Sequence, residues 1–142
     1  MKKALLLLLL ASLLFSACSA QDKSLVGSWI LTSYGPQGSP TPAVAGGSQA
    51  SITFKEDGTL SGNSGCNGFG GEYKVSGDQV TFSGLVSTLM ACAEPLMAQE
   101  GTMFTVLNGA SAYNVQGGVL TITKDGSVLN FTAGEAQSYS YP

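Results

Sequence analysis

The 142-residue chain has no histidine and no arginine, and its positive charge rests on six lysines set against nine acids. Without histidine, the commonest general base and the commonest nitrogen ligand for zinc are both missing. Six scattered lysines form no cluster able to neutralise phosphates, which excludes nucleic-acid binding. Charge of either sign is scarce, at 11% of residues against the roughly one-quarter typical of soluble domains. What the chain has instead is apolar residues, at 44%, and 19 glycines, about twice the ordinary share. The length fits one domain.

The apolar residues are not spread evenly. Lys2 and Lys3 precede a run from Ala4 to Phe15 that contains the leucine block Leu5–Leu10. Twelve helical residues at about 1.5 Å each fall well short of a hydrocarbon core of about 30 Å, which argues against a membrane span. A basic start, a short apolar run and then small residues make a secretory signal peptide. Its end, Leu14-Phe15-Ser16-Ala17-Cys18, resembles a bacterial lipobox, in which the cysteine becomes the lipidated first residue of the mature chain. Phe15 departs from the leucine preferred there. The competing processing, cleavage after Ala20, would release an unanchored exported protein. On the lipid route, Ser19 is not the aspartate that retains many lipoproteins at the inner membrane. The expected address is then the periplasmic side of an outer membrane. The organisation expected is a signal peptide at 1–17, a tether at 18–24, a domain at 25–132 and a tail at 133–142. The part after residue 17 carries four lysines and nine acids, a net charge of −5. It is long enough to bury a core of its own.

From Leu25 onward the sequence is punctuated by glycine into short segments of period two. Val26–Tyr34 reads as a first strand. Gly35–Ala50, with three prolines and several glycines, reads as a mobile loop. Ser51–Phe54, Thr59–Gly62, Glu72–Val75, Gln79–Phe82, Ala112–Val115, Val119–Thr123 and Val128–Phe131 alternate polar and apolar residues. Turns such as Glu56-Asp57-Gly58 and Asp125-Gly126 separate them. Seven to eight antiparallel strands of this kind predict a mainly β, compact barrel-like domain. One stretch breaks the pattern. After Pro95, the residues Leu96, Glu100, Met103, Phe104 and Leu107 follow the helical period, and Asn108-Gly109 supplies a stop. One α-helix is therefore expected, packed against the β-structure.

Taken together, Trp29-Ile30-Leu31, then Gly65-Cys66-Asn67 with Gly71 and Tyr73, then Ser87-Thr88-Leu89-Met90-Ala91-Cys92 followed by Met97 and Glu100, resemble the signatures of the META domain family of HslJ-like heat-shock lipoproteins. The resemblance spans about residues 25–132. Leu89 stands where the family often has arginine. The resemblance implies a compact β-barrel with one helix, an envelope location, a link to heat or stress, and no mapped catalytic activity. The family-motif residues it singles out are Trp29, Gly65, Cys66, Asn67, Tyr73, Thr88, Met90, Cys92 and Glu100.

The chemistry available agrees with that silence. Cys66 as a nucleophile would need a base to make its thiolate, and no histidine exists. In an exported chain, Cys66 and Cys92 are expected to form a structural disulfide. Two cysteines without histidine do not complete a zinc site, so no metal and no cofactor are expected. Glu56, Asp57 and Asp125 fall in turns, where acids are solvated. Glu72 and Glu100, both within the family motifs, are the better candidates for the carboxylate pair that glycoside hydrolysis needs. Set against it is the plainer reading, with Glu72 facing solvent and Glu100 supporting the helix. The expected function is therefore non-enzymatic: a stress-associated, monomeric envelope lipoprotein acting by interaction or by supporting envelope integrity. Its expected partners are the membrane, through lipid on Cys18, and an envelope protein. The alternative is a barrel that binds a small ligand or inhibits a hydrolase. Bulky residues at Trp29, Phe54, Tyr73, Phe82, Met97 and Phe104 weigh against an open interior.

Overall fold

The computed structural model describes residues 24–135. The signal peptide, Cys18 and nearly all of the tether lie outside the described residues, as does the tail from residue 136. Within them the chain runs β1 (Gly27–Pro36), β2 (Thr41–Pro42), β3 (Ser51–Phe54), β4 (Thr59–Asn63), β5 (Gly68–Ser76), β6 (Gln79–Ser87), α1 (Glu94–Val106), β7 (Gly109–Gln116), β8 (Val119–Lys124) and β9 (Ser127–Ala133). From β3 to β9 each strand pairs antiparallel with the next along the chain. β1 pairs with β3 on one side and with β9 on the other, so eight strands close into a barrel and β2 adds a short ladder to β1. The closing seam runs from Trp29 opposite Ala133 to Pro36 opposite Ser127, with a bulge between Leu31 and Ser33.

The alternation read from the sequence decides which side chains enter. Ser111, Tyr113 and Val115 of β7 are buried while Ala110, Ala112 and Asn114 are exposed. An eight-stranded barrel is just wide enough for side chains to fill it. Here Ile52, Phe54, Leu120, Ile122, Leu129 and Phe131 do so, all essentially without solvent contact. Phe54 meets Tyr73 edge-on at 4.9 Å between ring centres. Of the six bulky residues expected inside, Trp29, Phe54 and Phe82 are buried, whereas Tyr73, Met97 and Phe104 are half-buried at the rim.

The helix lies where the pattern placed it, but its buried stripe is turned. Gln99, Glu100, Met103 and Val106 face inward, with Leu107 just beyond, while Leu96 and Phe104 are half-buried. The amphipathic signal is blurred because two polar side chains occupy the inward stripe. Its first turn has no side-chain cap; Pro95 occupies it, and the Leu96 and Met97 amides donate to the Ala93 carbonyl. The Gly35–Ala50 segment, read as a mobile loop, is tied down. Thr41–Pro42 pairs with β1, Ala43 N–H donates to the Thr32 carbonyl at 2.9 Å, and Ala43 and Val44 pack on the core. Its glycines and prolines suppress long strands without preventing these contacts.

The strand directions give the barrel two unlike ends. The β3–β4, β5–β6 and β7–β8 turns lie at one end, together with the point where the chain enters β1 and leaves β9. The β4–β5 loop, the Ala43–Ala50 segment and α1 with its connections lie at the other.

Candidate functional site

At the helix-bearing end, the β4–β5 loop Ser64–Asn67 is shaped by its own side chains. The Asn63 carboxamide oxygen accepts from the Gly65 amide at 2.7 Å. The Ser64 hydroxyl accepts from the amides of Asn67 (3.0 Å) and Cys66 (3.3 Å). These are the local bonds by which Asn and Ser favour turns. Gly65 is required twice over: its φ is +102°, and a β-carbon there would lie 2.8 Å from Gln99 Nε2.

Two adjacent helix residues hold this loop. Gln99 Nε2 donates to the Ser64 carbonyl at 2.6 Å, and its Oε1 accepts from the Val44 amide at 2.7 Å. One side chain thus ties the helix to both neighbouring loops. Glu100 is 8% exposed. Its Oε2 accepts from the Ser64 hydroxyl at 2.5 Å and its Oε1 from Asn67 Nδ2 at 3.0 Å.

Asn67 is the hub. Its Nδ2 also donates to the Met90 carbonyl at 3.1 Å, and its Oδ1 accepts from the Met90 amide (2.7 Å) and the Thr88 hydroxyl (2.8 Å). The carboxamide thereby pairs with the Met90 backbone as a strand would, and uses its full capacity of two donors and two acceptor positions. Beside it the sulfurs of Cys66 and Cys92 lie 1.99 Å apart, at bonding distance, with Cα atoms separated by 6.0 Å. The connection from β6 to α1 is therefore held at Thr88, Met90 and Cys92, while the side chains of Leu89 (95% exposed) and Met90 (57%) stand in solvent.

The family-motif residues divide between the two ends. Gly65, Cys66, Asn67, Thr88, Met90, Cys92 and Glu100 converge on this cluster. Trp29 and Tyr73 belong to the opposite half. Trp29 is buried and donates from Nε1 to the Leu25 carbonyl at 2.8 Å, and the Tyr73 hydroxyl donates to the Lys55 carbonyl at 2.7 Å. Glu72 is exposed on β5, opposite Thr59 and Ser83, whereas Glu100 is buried in the cluster. Motif reading passed over Ser64 and Gln99. Their only signal is position: Ser64 precedes the Gly-Cys-Asn run, and Gln99 interrupts an apolar helical stripe.

The cluster's chemistry is that of a clamp. Ser64 with Glu100 offers a hydroxyl beside a carboxylate, but the hydroxyl is fully buried and substrate would not reach it. Among the described residues no buried side-chain polar atom lacks a partner. Nor does any group of three acids or cysteines gather there as a metal site. Perturbed titration lies elsewhere. Burial, with Asp57 and Glu56 nearby, raises the Tyr73 phenol above 10.0. Burial, with Asp78 nearby, raises Tyr113 likewise. Two hydrogen bonds from Thr59 hold Asp57 below 3.8.

A closed eight-stranded antiparallel barrel, with large side chains buried in its interior and a helix clamped at one end, defines a small β-barrel module. The sequence of the META domain matches residues 23–136, and the chain belongs to that family. The solved structures it resembles agree in fold. One is an NMR structure of a Burkholderia xenovorans protein, 24% identical, with a TM-score of 0.63 over 76% of this chain and 81% of the other. A second NMR structure is 27% identical, with a TM-score of 0.61 over 75% and 88%. A crystal structure of a DUF4847 family protein from Bacteroides vulgatus is 17% identical, with a TM-score of 0.57 over 79% and 94%. None of the curated proteins matches the chain in sequence.

Proposed function

We propose that this META-domain protein is a non-enzymatic, stress-associated envelope lipoprotein. It acts by interaction or by supporting envelope integrity, anchored through lipid on Cys18 to the periplasmic side of the outer membrane. The observation that carries this reading is the filled barrel. Phe54, Phe131, Ile52, Leu120, Ile122 and Leu129 occupy the interior, and Met103 and Val106 of the helix, with Leu107 just beyond it, are buried in the same core. A ligand-carrying barrel needs small inward side chains, and these are large. The strand directions add support. The chain enters β1 at the end opposite α1, so a tether from Cys18 leaves the helix-bearing end turned away from the anchor. Native mass spectrometry of protein isolated from its own host tests the reading. The expected species carries its acyl groups and no other small molecule, and a retained ligand would favour the ligand-binding barrel instead. Crosslinking in intact cells, followed by isolation through the anchored protein, is expected to recover an envelope protein.

A further inference from the structure

β6 is only half enclosed. It pairs with β5 from Ser76 opposite Gln79 up to Phe69 opposite Ser87, but β7 begins at Gly109, opposite Phe82. From Ser83 to Ser87 no strand among the described residues pairs with the second edge of β6. The pairing with β5 shifts register between Gly70 and Glu72, opposite Gly84, whose φ is +60°. Between the edge and the helix lies a cleft of about 310 Å³, with Leu85, Val86 and Ser87 on one wall and Phe104 and Asn108 on the other. Val86 is 70% exposed, and Leu89 and Met90, just beyond the strand, are exposed as well. No charged residue occurs from Ser83 to Ala93.

Backbone donors and acceptors alternate to both sides of a strand, so an uncovered edge is a template for one more strand. An antiparallel strand added here must run in the direction of β7. Its C-terminus would then stop at Asn108–Gly109. Lys124 reaches that point: its ammonium donates to the Asn108 carbonyl and lies 3.8 Å from where a β-carbon on Gly109 would be. A positive charge therefore waits where the added strand ends.

We propose that the open edge of β6 docks the extended, apolar C-terminal segment of another protein, with its terminal carboxylate meeting Lys124. The inference deepens the interaction reading above and rests on it. A second copy fits less well. Five residues of edge bury far less than the roughly 1,200 Å² of a stable interface, and copies carrying a net charge of −5 after residue 17 repel one another.

The test uses the protein as its host makes it, purified in detergent. Random heptapeptides displayed with free C-termini are panned against it, and the best binder is synthesised as free acid and as C-terminal amide, both fluorescein-labelled. Apolar residues are expected to be enriched at the C-terminus, and the amide to bind roughly tenfold more weakly, as loss of a charge-assisted hydrogen bond implies. Lys124→Gln should bring the free acid down to the affinity of the amide and leave the amide unchanged. Val86→Asp, at an exposed site that folding tolerates, should weaken both. No enrichment, or equal binding of acid and amide, would overturn the proposal. So would dimers in the wild type that Val86→Asp dissociates, because the edge would then belong to a second copy. An envelope partner recovered by crosslinking alongside a failed peptide test would leave the interaction reading standing and sink this one.

Discussion

Asn67 concentrates more consequence than any other side chain at the helix-bearing end. Replacing it with alanine would strand the Met90 amide and carbonyl and take one donor from the buried Glu100 carboxylate. Each buried polar group left unpaired costs about 1–3 kcal/mol, so Asn67→Ala should lower unfolding stability by roughly 3 kcal/mol in urea titration. A loss below about 0.5 kcal/mol would mean that water replaces the carboxamide without penalty. Trp29→Ala should cost a similar or greater amount, on the order of 3–5 kcal/mol, through the cavity left in the opposite half. Tyr73 and Tyr113 carry a pH dependence. Their folded-state pKa values are raised, so the stability they contribute is complete below the unfolded value of 10.0 and is lost as pH climbs through the folded values. Absorbance titration at alkaline pH should show two tyrosines ionising above 10.0, with stability falling over the same range.

The β6–α1 connection and the disulfide act as one unit. The Cys66–Cys92 bridge spans 26 residues of sequence and ties the approach of the helix to the β4–β5 loop. Closing such a loop stabilises a fold by about 3–4 kcal/mol on the chain-entropy model. Reduction should therefore lower the melting temperature while leaving the β-rich circular dichroism spectrum, because the eight-stranded core does not depend on the bridge. Hydrogen exchange should quicken in Thr88–Ala93 before it does in β8 or β9. Intact mass of the exported protein with and without alkylation is the direct measurement, and two free thiols would contradict the bridge in the native protein.

For the whole molecule, the two ends of the barrel differ in build: the chain enters β1 at one, and the other holds the clamp and the open edge of β6. Labelled palmitate should enter the wild type and not Cys18→Ala, and the wild type should stay with membranes, since several acyl chains anchor stably where one does not. Equal labelling of both would remove the anchor, and with it the orientation drawn from the tether.

Much of this was legible in the sequence, and what was legible is local. Period-two alternation between glycine turns specified the strands, because neighbouring residues on a pleated ribbon must face opposite sides. Pro95 and Asn108-Gly109 bracketed the helix to within a few residues, and the Gly-Cys-Asn and Met-Ala-Cys runs marked the loops that meet. Tertiary structure decided what depends on residues distant in sequence. The inward turn of Gln99 departs from the stripe of Leu96, Glu100, Met103, Phe104 and Leu107, since its partners Ser64 and Val44 lie 35 and 55 residues away. The ordering of Thr41–Val44 against the core runs against its loop composition for the same reason. Whether β6 would be covered along its whole length depended on where β7 began, and β7 begins at Gly109, opposite Phe82, because the chain between the two strands is spent on the connection and the helix rather than on a longer hairpin.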